Sequence, residues 1–86
     1  MKENIILLKS FDFSVAVKNY CEVLNSKKEI AIANQLLRCG MAIGANVAEA
    51  QNAESRSDFI HKMKIAAKEA SETIYWLSIC EKMNNF

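Results

Sequence analysis

Apolar residues recur along most of this chain at intervals of three and four, the spacing of helices with one buried side. Phe13, Ala16, Val17, Tyr20 and Leu24 form one such stripe. They predict a first helix over about 10–25, with Ser10 or Asp12 accepting a hydrogen bond from the first-turn amides. Ahead of it, "IILL" at 5–8 is an apolar run without longer periodicity, read as an extended lead-in or an early helix. "NSKK" at 25–28 is a short polar connection, which favours an antiparallel neighbour. A second helix over about 29–52 follows from Ala33, Leu36, Leu37, Gly40, Ile43, Gly44, Val47 and Ala48 on one face.

The third helix, over about 55–83, is the clearest. Phe59, Met63, Ala66, Ala70, Thr73, Leu77 and Cys80 alternate steps of four and three, and Ile60, Ala67 and Ile74 widen the stripe. Ser55 with Asp58 has capping-box spacing, and Ser57 is an alternative cap. Asp58 and Lys62 are placed for a favourable i,i+4 ion pair, and Lys68–Glu72 for one of poorer orientation. The pattern predicts a single all-α domain over 1–86, an up-and-down antiparallel bundle. Three amphipathic helices leave one side open, for a fourth helix beyond Phe86 or for a neighbouring subunit.

Both glycines, Gly40 and Gly44, fall inside the second helix one turn apart, in a chain without proline. Each costs about 1 kcal/mol relative to alanine in a helix interior. With Ala48 they form a ridge almost bare of side chains beside the bulky Leu37, Ile43 and Val47. Such a ridge lets another helix approach closely, and the added dispersion contacts offset the cost.

Composition narrows the chemistry. The chain is 51% hydrophobic and 24% charged, so it folds, yet its 86 residues can build only a modest core. Association between copies is the expected remedy, since the helix 3 stripe is wider than one partner helix covers. The cysteines, Cys21, Cys39 and Cys80, are odd in number and widely spaced, which argues against disulfides and for a cytoplasmic protein with reduced thiols. No signal peptide or membrane span is visible. His61, the single histidine, has no ligand-spaced cysteine or carboxylate around it, so it reads as a partly exposed helix residue and no metal is expected. Cys39 reads as a small buried hydrophobe. Glu-x-x-His, phosphate loops, dinucleotide fingerprints and triads are missing, so the expectation is a non-enzymatic protein without cofactor or small-molecule substrate.

Eleven Lys and Arg against ten Asp and Glu give a net charge of +1, so any nucleic-acid binding must come from local clustering. Arg56, Lys62, Lys64 and Lys68 are the candidate phosphate contacts on the third helix, with Arg38 on the second. Arg38 is either a solvated arginine with its stem on apolar surface or an interface residue pairing with a carboxylate or phosphate. Tyr75 and Trp76 are either core and subunit contacts or a stack for a base.

"QLLRCGMAIGANVAEA" at 35–50 and "SRSDFIHKMKIAAKEASETIYWL" at 55–77, with "KSFDF" at 9–13, resemble the bacterial four-helix bundle proteins encoded in intervening sequences of 23S ribosomal RNA genes. The likeness spans nearly the whole chain. It implies a fourth helix after Phe86 and a ring-like homo-oligomer of five subunits. A related protein, the accessory protein of diversity-generating retroelements, shares that architecture and binds nucleic acid and a reverse transcriptase. That relative is strongly basic, unlike this chain. Cys39, Met41 and Ala42 stand where the family tends to have Ser, Thr and Ser, so hydroxyl groups are missing there. The expected function is an oligomeric bundle associated with ribosomal or other RNA through basic helix faces. The alternative is an adaptor whose oligomer surface binds a protein partner.

Overall fold

A computed structural model describes residues 4–83. The described residues form three helices and no strand: α1 (Ile5–Ser26), α2 (Ile30–Ala50) and α3 (Arg56–Met83). α2 is central. α1 and α3 pack antiparallel along it from either side, and their Cα atoms stay more than 8 Å from one another. This is the chain path of an up-and-down bundle. The expected fourth helix lies outside the described residues.

α1 begins five residues before the expected start at Ser10. Its N-cap is Asn4, whose side-chain oxygen accepts from the Leu7 amide at 3.1 Å while its amide group donates to Gln51 at 2.7 Å. The apolar run at 5–8 is therefore the first turn of the helix, tied to the C-terminus of α2. Ser10 and Asp12 sit inside the helix and cap nothing. Ser10 is buried, and its hydroxyl donates back to the Leu7 carbonyl.

The α1–α2 turn closes as a Schellman motif. The Glu29 amide reaches the Leu24 carbonyl at 2.9 Å and the Lys28 amide the Asn25 carbonyl at 2.9 Å. Lys28 itself has φ 64°, a left-handed conformation that usually falls to glycine. At the start of α3, Ser55 accepts from the Asp58 amide at 3.0 Å, and Asp58 accepts from the Glu54 amide at 3.1 Å. Ser55 rather than Ser57 is thus the cap.

The two glycines sit where α1 crosses closest. A Cβ on Gly40 would lie 2.7 Å and 2.9 Å from the two methyls of Val17. One on Gly44 would lie 2.6 Å from the Ser14 hydroxyl and 3.0 Å from the Ser10 carbonyl oxygen. No side chain fits at either position without moving α1.

The core is small in every sense. Val17, Cys21, Leu24, Ala33, Leu36 and Cys80 form its centre, flanked by Tyr20, Ile32, Trp76 and Leu77. Each helix contributes one buried free thiol: Cys21, Cys39 and Cys80. Thr73, the buried polar residue of α3, donates to the Glu69 carbonyl at 2.8 Å and lies 3.3 Å from the Cys39 sulfur. Part of the expected helix 3 stripe is not buried: Phe59 and Ile60 stay partly in solvent, and Ile74 is exposed. Two open apolar hollows lie between α1 and α3 over α2, one lined by Phe13, Tyr20, Leu36 and Leu77 and the other by Ile6, Val47, Met63 and Ala70.

Two stability changes follow. Gly44→Ala should destabilise the protein by about 1–3 kcal/mol through overpacking, despite the better helix propensity of alanine. Urea unfolding measures this, and a variant as stable as the parent would contradict the close crossing. Lys28→Gly should stabilise by about 0.5–1 kcal/mol by relieving the left-handed residue, whereas Lys28→Val should destabilise.

Candidate functional site

The charges of α3 are sorted by direction. Its acids are Asp58, Glu69, Glu72 and Glu81. Glu69 and Glu72 turn toward the α2 edge of the helix, Asp58 holds the turn before it through the Glu54 amide, and Glu81 is exposed near the end. At the α2 edge Arg38 pairs with Glu69 at 3.4 Å and closely with Glu72, while also donating to Gln35. Lys62 pairs with Glu49 of α2 at 2.9 Å. These pairs rivet α3 to α2 in one rotational setting.

Two of the five candidate phosphate contacts are therefore committed elsewhere. Arg38 is the carboxylate-pairing interface residue of the two readings, and its partners are within the chain. Lys62 bonds Glu49 rather than its expected i,i+4 partner Asp58, whose carboxylate serves the Glu54 amide. Its ammonium is held above the usual lysine range by that Glu49 hydrogen bond. The Lys68–Glu72 pairing does not form, because Glu72 faces Arg38 and Trp76.

The remaining candidates point outward. Opposite the core, the 3.6-residue repeat brings His61, Lys64, Lys68, Ser71, Tyr75, Ser78 and Lys82 onto one stripe, and all are exposed. No acid lies on it. Lys64, Lys68 and Lys82 make no ion pair among the described residues. Arg56 is exposed at the start of the helix, to one side of the stripe. From Lys64 to Lys82 the stripe runs about 27 Å at ~1.5 Å per residue. Lys82 joins the candidates from the structure, and the 64–68–75–82 spacing is its signal in the sequence.

Tyr75 and Trp76 have separate roles. Trp76 is half-buried against the core, and its indole N–H donates to Glu72 at 3.0 Å. Tyr75 keeps 60% of its surface exposed and meets Trp76 edge-on, ring centroids 5.2 Å apart at 75°. Of the expected packing residues, Gly40 and Gly44 lie under α1, and Gly44 and Ala48 also line an open apolar groove with Leu7, Phe11 and Met41.

The Trp76 hydrogen bond, followed by Arg38 and Lys68, holds the Glu72 carboxyl below the usual glutamate range against an opposing desolvation effect. A carboxyl lowered on folding contributes stability above its unfolded pKa and loses it as pH falls through the lowered folded value. Trp76 is the single tryptophan, so its emission reads this group directly. Emission should step at a pH below the ordinary glutamate range, and Glu72→Gln should abolish the step.

No curated protein sequence matches the chain. Among solved structures it is similar to a protein of unknown function from the S23 ribosomal protein family of Bacteroides thetaiotaomicron VPI-5482. The two share 43% sequence identity with a TM-score of 0.90, over 94% of this chain and 76% of that one. Residues 2–86 match the family described as 23S rRNA-intervening sequence protein. With that match over almost its whole length, and the QLLR, GAN and YWL residues on the helices described above, the chain belongs to the 23S rRNA-intervening sequence protein family.

Proposed function

We propose that this protein is a non-enzymatic helical bundle that binds the phosphate backbone of RNA along the outward face of α3 and works as a homo-oligomer. The observation that carries the reading is the acid-free stripe bearing Lys64, Lys68 and Lys82. A net charge of +1 gives no bulk attraction, but with Glu69 and Glu72 paired to Arg38 at the α2 edge this face is left locally cationic. Arg56 and His61 extend it toward the N-terminus of the helix.

Self-association is supported by the first half of α1, which carries apolar residues on its outer side as well as its core side. Val17, Cys21 and Leu24 are buried on one side, while Leu8, Phe11 and Val15 are exposed at 49%, 66% and 47% on another. A cluster of large apolar side chains left in solvent marks a surface that is normally covered. A second copy is the proposed cover, and the family resemblance suggests five copies in a ring. Reduced thiols in the core fit a cytoplasmic setting. The same exposed face of α1 also favours, as a second reading, an adaptor for a protein partner.

Binding of a labelled RNA oligonucleotide, followed by anisotropy across a salt series, tests the first reading. Affinity should be weak and fall steeply with salt. Replacing Lys64, Lys68 and Lys82 together by Gln should lower the slope of log K against log salt by about 2, at ~0.7 per phosphate contact on a single strand. Tight binding indifferent to salt and to these substitutions would overturn it. Sedimentation should give a mass well above the 9.7 kDa chain, and dilution should lower the thermal midpoint.

A further inference from the structure

We infer that the RNA taken by the α3 face is single-stranded, with an unpaired base stacked on Tyr75. This rests on the RNA-binding reading above and narrows it. Phosphate attraction alone asks for cations and does not explain an aromatic ring at the centre of the stripe. Tyr75 stands between Lys68 and Lys82, seven residues from each, about 10 Å along the helix in both directions. Ser71 and Ser78, one turn to either side, turn their hydroxyls back onto the Ala67 and Ile74 carbonyls and leave the surface beside the ring low and open.

The ring also has a support on one side. Its neighbour Trp76 is held by the Glu72 hydrogen bond and by the core, and it braces Tyr75 through an edge contact. That contact leaves 60% of Tyr75 in solvent. An exposed aromatic surface of this kind, flanked by cations, suits a base whose face is free. In a duplex both faces of an internal base are already stacked, so the ring would add nothing there. Unpaired RNA is the ligand that uses both parts of the stripe.

The test compares a labelled 12-nucleotide oligouridine with a 12-base-pair RNA duplex on the full chain at one salt concentration. The wild type should favour the single strand about tenfold. Tyr75→Ala should remove that preference by weakening single-strand binding about tenfold and leaving duplex binding unchanged, within the range of base–aromatic stacking. Tyr75→Phe should keep the preference, and Tyr75→Leu should lose it, which separates stacking from bulk. Quenching of Trp76 emission by the single strand but not the duplex would support the same placement. Equal affinities for both ligands, or a Tyr75→Ala variant with unchanged preference, would overturn this inference while lysine dependence leaves the backbone reading standing. A Tyr75→Ala variant that changes sedimentation without changing RNA affinity would also overturn it, by placing the ring between copies. Binding of neither RNA would remove the broader reading as well.

Discussion

The arrangement of this protein depends on how closely α1 lies on α2. Gly40 and Gly44 bring the α1 backbone against the middle of α2, with Val17 and Ser14 filling the space their side chains would have taken. Once α1 is that close, Cys21 and Leu24 reach the core and Asn4 reaches Gln51 at the far end. The opposite side of α2 is then left for α3. There Arg38 and Glu49, about three turns apart, set the rotation of α3 by drawing Glu69, Glu72 and Lys62 toward them. The direction of the α3 lysines is thus the final link of a sequence that begins with two missing side chains.

A slab 43 × 24 × 16 Å is the result. At 16 Å it is little thicker than one helix, whose diameter with side chains is about 10–12 Å. A body this thin has few interior positions, and those it has are filled mainly by Ala, Cys, Val and Leu. Larger apolar side chains such as Phe11, Ile74 and Tyr75 are left at the surface. The interhelical ion pairs on α2 and α3 are partly exposed, so they define register more than they add stability.

Helix type and order were legible from periodicity because each helix has a long apolar stripe. The α1 boundary was not. An apolar run at 5–8 lacks polar residues on the opposite face, and its cap is an asparagine whose second partner, Gln51, lies across the bundle. The glycine spacing indicated a close crossing, and Val17 and Ser14 are where that crossing falls. Of the charged candidates, Arg38 and Lys62 resembled phosphate contacts because local spacing cannot reveal a carboxylate on another helix. Lys64 and Lys68 kept their place because the core-facing period fixes what points away from it. Lys82 required the same period to be carried about four turns beyond Lys68.

One buried thiol per helix has a consequence for watching the molecule move. Thiols react as thiolates, and burial both shields Cys21, Cys39 and Cys80 and, at Cys21, pushes the thiol pKa up through desolvation. None can meet an alkylating reagent or an oxidant while its helix is docked. Each sulfur is therefore a clock on its own helix. Labelling of Cys21 keeps time for α1, Cys39 for the central α2 and Cys80 for the end of α3. Site-resolved alkylation would record whether the three helices part together or whether α1, held at the glycine crossing, lets go on a different schedule from α3, held by its ion pairs.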